Sequence, residues 1–286
     1  MLGVVGTVPE ADFPLVCGAV RLDGDHLVID GHRVPVNRGT PALLGAICRA
    51  AEVLAVPEIY AFLVGDIGRG QGSRRLYEYL CDHLPRFACQ VLAFHYLQPD
   101  VDWHNRVLFA IKEMDNRPLL IADAGFMYSA KMSGQAGAYD LFTPDAGELA
   151  FLADETAPHP FYTRGFILQD NLSVPALIRR AAAYDNAARC MLVKGKTDYV
   201  VQGDDIVATV DQPACPAMEA IGGTGDTLTG LVTVLCGYGC EPLRAADLAA
   251  RINRWCGHLA EPTPATQVMD LIARIPAAIP SVLSDA

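Results

Sequence analysis

The chain has 286 residues, 51% of them hydrophobic, and a net charge of −11. That apolar content excludes a disordered chain, and the acidity, with no basic cluster beyond Arg74-Arg75 and Arg179-Arg180, excludes a nucleic-acid surface. The longest apolar stretch, Leu43 to Val64, is broken by Arg49, Glu52, Pro57 and Glu58, and Met1 to Pro9 lack a charged start, so neither a membrane span nor a signal peptide is expected.

Leu15 to Val36 reads as short antiparallel strands with turns at Asp23-Gly24 and Asp30-Gly31. The exposed edges of this N-terminal hairpin are expected to pair with a second subunit, giving a homo-oligomer. Thr40 to Ala55 is a helix with Leu43, Leu44, Ile47, Ala51 and Leu54 on one face. A strand, Ile59 to Val64, then leads through the glycine-rich loop Gly65 to Gly72 into a helix from Ser73 to His83. Strand and helix alternate from there: Gln90 to Phe94, then Trp103 to Met114; Pro118 to Ile121; Asp140 to Thr143, then a helix from Ala146 to Ala153. Asp154 to Phe161 is a loop and Val174 to Tyr184 a helix. Strand Cys190 to Val193 precedes a hairpin, Tyr199 to Gln202 with Ile206 to Val210. Three helices close the chain: one from the glycine motif to Gly237, Leu243 to Leu259, and Thr266 to Ile275.

This alternation predicts the α/β class: a three-layer α/β/α sandwich around a mostly parallel sheet. One domain, 1–286, is expected, with 1–36 as a β extension. Ligands of such sheets lie beyond the carboxyl ends of the strands. Asp66, Asp123, Thr143 and Lys194 stand at strand ends and are expected to face one crevice with the loop Gly222 to Asp226. The nine cysteines form no Cys-x-x-Cys and read as reduced thiols of a cytoplasmic protein. Cys236 and Cys240 are not completed by a histidine cluster, so no zinc site is expected.

Gly222-Gly223-Thr224-Gly225-Asp226-Thr227-Leu228-Thr229-Gly230 carries the strongest chemical signal. Glycines let the backbone turn its N–H groups toward one point, and the following helix aims its positive end there. An anion bound at that point would have the Asp226 carboxylate beside it, within reach of an attacking hydroxyl. This suggests phosphoryl transfer; the other reading is a glycine turn with Asp226 at a helix start. Thr143-Pro144-Asp145-Ala146-Gly147-Glu148-Leu149 ends a strand and starts a helix. Glu148 reads either as a capping residue or as a carboxylate holding Mg²⁺ through water near phosphates. Leu192-Val193-Lys194-Gly195-Lys196-Thr197 puts Lys194 at the end of a buried strand. It is either a surface lysine at a turn or a cation that neutralises developing phosphate charge.

Taken together and in this order, the three segments resemble the ribokinase-like superfamily and, more narrowly, the ADP/ATP-dependent NAD(P)H-hydrate dehydratase family. That family carries Thr-Pro-His-x-Gly-Glu, then Leu-Lys-Gly-x-x-Thr, then Gly-(Ser/Thr)-Gly-Asp-Val-Leu-(Ala/Ser)-Gly. The likeness runs from about Pro118 to Ile279. Arg38-Gly39-Thr40-Pro41-Ala42-Leu43-Leu44-Gly45-Ala46 is similar to the family's substrate loop, with Gly39 and Gly45 as its glycines. Gly65 to Gly72 stands where the family has Gly-Pro-Gly-Leu-Gly, Ile121 to Gly125 where it has Asp-Ala-Asp-Ala-Leu, and Asp145 where it has His.

The resemblance implies that ADP or ATP phosphorylates the hydroxyl of a hydrated nicotinamide ring and that phosphate then leaves. It makes Asp226 the base and the N–H groups of Gly223, Thr224 and Gly225 the anion hole. Lys194, Thr197 and Asn253 would contact nucleotide, with His258 beside Asn253 on the adenine side. Gly39, Gly45, Asp123 and Asp145 would face the substrate, a small molecule, and Glu148 would orient Mg²⁺ through water. The departures at Asp66, Asp123 and Asp145 keep open a plain ATP-dependent kinase for a sugar or vitamin precursor. A nucleotide-binding protein without catalysis is the third reading.

Overall fold

The computed structural model describes residues 1–155, 173–263 and 265–284. At its centre is β1, Leu2–Val8, buried along its whole length. It pairs in parallel with β5, Ile59–Gly65, on one side and with β6, Val91–His95, on the other. The extension is therefore narrower than 1–36. It consists of β2 (Val16–Asp23), β3 (His26–Ile29) and β4 (His32–Pro35), antiparallel to one another. It is joined to the main sheet, since β2 lies antiparallel along β5 with Ala19 opposite Tyr60.

Beyond β6 the sheet continues in parallel with β7 (Leu119–Ala122), β8 (Leu141–Phe142) and β9 (Cys190–Val193). It ends in an antiparallel hairpin, β10 (Asp198–Gln202) with β11 (Asp205–Val210). Among the described residues the sheet has 11 strands, in the order β11-β10-β9-β8-β7-β6-β1-β5-β2-β3-β4.

The inner strands are covered on both faces, as parallel strands require. Side chains alternate across them. Val91 and Ala93 join one core with α1 (Thr40–Ala50), α7 (Thr224–Gly237), α8 (Pro242–Ala260), α9 (Val268–Ile272) and α10 (Ile275–Ser284). Leu92 and Phe94 join the other with α2 (Gln71–His83), α3 (Val101–Lys112), α4 (Gly125–Met132), α5 (Ala146–Leu152) and α6 (Val174–Ala183). The three expected layers are present.

Three details differ from the sequence reading. The segment 125–132 is a helix, too short to display a periodic face. The last helix is two, α9 and α10, and α10 tolerates Pro280 inside it. Helix α1 stops at Ala50 rather than Ala55. Most of the loop expected at Asp154 to Phe161 lies outside the described residues.

The chain leaves β1 toward β5, then crosses back through α2 to β6. That reversal opens a crevice at the carboxyl ends of β1 and β6. Two helices reach it with their amino ends. They cross closely because Gly230 of α7 has no side chain: a Cβ there would stand 2.4 Å from the Leu43 carbonyl oxygen of α1.

Candidate active site

Four neighbouring strands deliver polar residues to this crevice: His95 ends β6, Asp123 follows β7, Thr143 follows β8 and Lys194 follows β9. Lys194 Nζ donates to both Asp123 oxygens at 2.9 Å. The Thr229 hydroxyl of α7 donates to Asp123 Oδ2 at 2.6 Å and lies 3.0 Å from Thr143 Oγ1. Burial works against the Lys194 charge. Asp123 and Glu148 outweigh it and hold the ammonium above the usual lysine range.

Asp226 stands in the first turn of α7 with its side chain 11% exposed, a narrow opening onto the crevice. Gly39 N–H donates to its Oδ2 at 2.6 Å. His95 Nε2 lies 3.2 Å from its Oδ1. Burial raises the Asp226 carboxyl, but His95, Lys194 and the Gly39 N–H prevail and hold it below the ordinary aspartate value. It is a fully ionised but weak base at neutral pH.

The glycine turn has the geometry its sequence implies. Gly223 has φ 102°, and a Cβ there would meet Val268 Cγ2 at 2.9 Å. No side chain caps α7, so its first N–H groups have neither a helical nor a capping partner. The Lys194 side chain runs alongside, its Cδ, Nζ and Cε 3.6–3.8 Å from where a Gly225 Cβ would stand. A cation thus flanks a row of N–H donors, with a carboxylate beyond. Such an arrangement has the chemistry to stabilise a phosphoryl group in transit, with a carboxylate placed to take a proton.

Other expected residues have different neighbours. Asn253 is committed to the protein: it accepts from Thr227 Oγ1 at 2.8 Å and donates to the Thr224 carbonyl at 3.2 Å, bracing the first turn of α7. His258 is exposed and packs edge-on against Trp255, 5.2 Å between ring centroids. Thr197 sits half-buried in the turn after Lys194. Gly45 is a packing position within α1: a Cβ would meet Val36 Cγ1 at 3.0 Å and Ile272 Cδ1 at 3.3 Å. Asp66 does not face the crevice cluster. Its carboxylate accepts from the N–H groups of Gly68, Arg69, Gly70 and Ser73 and so organises the loop into α2.

Asp145 and Glu148 form a reciprocal cap on α5. Asp145 Oδ1 accepts from Glu148 N, and Glu148 Oε2 accepts from Asp145 N, both at 2.8 Å. Burial, with Asp123 and Asp145 nearby, pushes the Glu148 carboxyl up to about 8 against the pull of Lys194. Its side chain keeps partial contact with solvent, so hydration tempers that rise. Glu148 Oε1 takes no hydrogen bond among the described residues. These residues also contain no group of three His, Cys, Asp or Glu side chains able to hold a metal by themselves. One carboxylate oxygen without a partner among the described residues, near Lys194, fits an Mg²⁺ that keeps its waters and needs few carboxylates.

Four residues were missed by the sequence reading. His95 and Thr40, with Thr40 Oγ1 3.1 Å from His95 Nδ1, lie directly behind Asp226. The available signal for His95 was the strand-end rule that found Asp123. Arg254 clamps the Lys194 turn, donating to the Gly195 and Lys196 carbonyls at 3.1 and 2.9 Å and to Asp198 Oδ2 at 2.8 Å. Tyr96, with φ 55° and the residue 48% exposed, stands beside Gly39 at the mouth. An aromatic residue rarely adopts that left-handed backbone, and such outliers gather at functional sites. Thr7 Oγ1 of β1 secures it by donating to the Tyr96 carbonyl at 2.8 Å. By contrast, a cavity of about 550 Å³ lined by Arg86, Gln90 and Arg117 lies at the opposite, amino end of the strands.

The sequence pattern of a family described as NAD(P)H-hydrate dehydratase matches residues 98–277. An uncharacterised protein of Methanocaldococcus jannaschii is 38% identical over 84% of this chain and 100% of its own length. An ADP-dependent (S)-NAD(P)H-hydrate dehydratase of Xanthomonas campestris is 25% identical over 94% of this chain and 86% of its own. The chain spans 57% of a bifunctional NAD(P)H-hydrate repair enzyme of Pyrobaculum aerophilum, at 29% identity. Among solved structures, a ribokinase-like superfamily protein of Enterococcus faecalis superposes with a TM-score of 0.57 at 15% identity, covering 98% of this chain and 86% of that one. Fold, motif order and the match over well more than half the chain agree: it belongs to the NAD(P)H-hydrate dehydratase family.

Proposed function

We propose that this chain repairs hydrated NADH or NADPH at the expense of ADP or ATP. The substrate hydroxyl attacks the terminal phosphorus of the nucleotide. An O–P bond forms as the bond to the leaving nucleotide oxygen breaks, and Asp226 takes the hydroxyl proton. Inorganic phosphate then leaves with its C–O bonding pair. A proton departs from the adjacent ring carbon, and the ring double bond returns. The observation that carries this reading is Asp226 beside the uncapped amino end of α7, with Lys194 along the same turn.

The N–H groups of Gly223, Thr224 and Gly225 would hold the moving phosphoryl group, and Lys194 would offset its charge. Thr197 would contact the nucleotide from the turn that Arg254 holds, and Asn253 would act indirectly by bracing α7. Glu148 would hold Mg²⁺ through water; the ion would supply charge neutralisation on the phosphates. The Xanthomonas relative, named as ADP-dependent, favours ADP as donor. Gly39, Asp123 and Asp145 border the substrate side, and the half-exposed Tyr96 ring offers a flat wall for the nicotinamide. Nine unpaired cysteines fit a reducing, cytoplasmic setting. Pairing through the outer edge of the β2–β4 extension would make a homo-oligomer.

The test is incubation with hydrated NADH or NADPH plus ADP or ATP, followed at the reduced-nicotinamide absorbance band. Recovery that depends on nucleotide supports the reading. No recovery with either nucleotide, together with ATP turnover on a panel of small alcohols, replaces it with the plain kinase. That second reading draws on Asp145, an acid where the family has His.

A further inference from the structure

His95 has no part in the reaction as written, yet it is completely buried within the cluster. Its Nδ1 lies 3.1 Å from Thr40 Oγ1. Its Nε2 lies 3.2 Å from Asp226 Oδ1 and 3.7 Å from Asp123 Oδ2. Nε2 is out of line with both and has no aligned hydrogen-bond partner. Its surroundings nevertheless define its state. An unprotonated Nε2 would turn its lone pair toward two carboxylates. Nε2 therefore carries hydrogen, and in the neutral ring Nδ1 accepts from the Thr40 hydroxyl.

Thr40 is the first residue of α1, and Gly39 caps the same helix. The amino end of α1 thus reaches Asp226 by two routes. Gly39 N–H binds Oδ2 directly, and Thr40 orients the ring that faces Oδ1. The charged or titratable groups around His95 are Asp226 from α7, Asp123 beyond β7 with Lys194 paired to it, and Tyr96 from its own strand end.

We propose that His95 is the positioning residue of the base: held by Thr40, its Nε2 faces Asp226 Oδ1 and aims the carboxylate toward the incoming hydroxyl. The inference rests on the proposed reaction for the identity of the hydroxyl. The link between His95 and Asp226 can be measured without turnover.

Two variants separate the parts. His95→Gln places an amide N–H near the position of Nε2, whereas His95→Asn reaches only as far as Nδ1. In protein carrying ¹³C-labelled aspartate, the Asp226 carboxyl signal is assigned by its loss in Asp226→Asn. Its titration midpoint is expected to rise by about one pH unit in His95→Asn and by less in His95→Gln. Losing His95 lets Asp226 protonate at higher pH, so the acid limb of kcat/KM should move upward in the Asn variant. There kcat should fall about tenfold to a hundredfold while the nucleotide KM holds. A purely structural role would lower kcat at every pH and leave that limb in place. An unchanged Asp226 midpoint in a folded His95→Asn protein overturns the proposal. Should that variant not fold, ¹⁵N-histidine spectra of the wild type decide. Hydrogen on Nε2, with a signal that moves in Asp226→Asn, supports it, and a neutral ring with hydrogen on Nδ1 overturns it. If the wild type restores no nicotinamide absorbance, the reaction is wrong, and the Asp226 midpoint still reports on His95.

Discussion

Asp123 and Lys194 illustrate how the site carries charge inside the protein. The Asp123 side chain is 2% exposed and depends on Lys194, 2.9 Å away. Lys194→Met would leave it buried without a cation, at a cost of about 3–5 kcal/mol in urea unfolding. Adding Asp123→Asn should recover much of that loss, because the orphaned charge is then gone. Asp226→Asn should leave nucleotide affinity near normal and reduce turnover about a thousandfold, read by separate binding and rate measurements. Tyr96→Ala should raise KM for the hydrated dinucleotide but not for ADP; equal effects on both would remove Tyr96 from the substrate wall. The placement of Asp226 and Lys194 at one crevice was legible because each lies in a short stretch where glycines and a strand end fix the backbone. His95, Thr40 and Arg254 were not. Each has meaning only through a partner far along the chain: Asp226 for His95, the Lys194 turn for Arg254.

At the scale of elements, the glycine turn and β1 make opposite cases. The turn is visible because an uncapped helix start needs glycines ahead of it. Gly223→Ala would place a Cβ against Val268 on a left-handed backbone. It should destabilise the fold by about 1–3 kcal/mol and weaken nucleotide binding, checked by thermal unfolding and calorimetric titration. Strand β1 is invisible because burial on both faces removes alternation, and its glycines imitate a loop. Gly6 is in fact required: a Cβ would meet Thr40 Oγ1 at 2.4 Å and the His95 carbonyl at 2.7 Å. Long helices such as α8 were read nearly to their ends, since their apolar faces repeat many times. Helix α4, with two turns, gives no such repetition.

For the molecule as a whole, two buried titrations pull stability in different directions. His104, between Tyr139 OH at 2.8 Å and Ser133 Oγ at 3.0 Å, is pushed down by burial from 6.5 to about 4. Its contribution is intact above pH 6.5 and lost as pH falls toward 4, because the unfolded chain takes up the proton first. Glu148 is raised from 4.5 to about 8, so its contribution is present at acid pH and declines as pH rises between those values. Denaturant midpoints should therefore fall on the acid side in wild type, and Glu148→Gln should flatten the alkaline side. The layered α/β plan was legible from alternation alone, whereas the extra antiparallel edge joining β5 was not, since hairpins carry no mark of what they dock on. Gly39 and Asp226 are 187 residues apart in sequence, and Gly39, Thr40 and His95 all precede the family-matched region at 98–277. During synthesis the carboxylate has no fixed aim until α7 has left the ribosome and docked on the earlier helix. A partly made chain is therefore chemically silent, and competence arrives late and all at once.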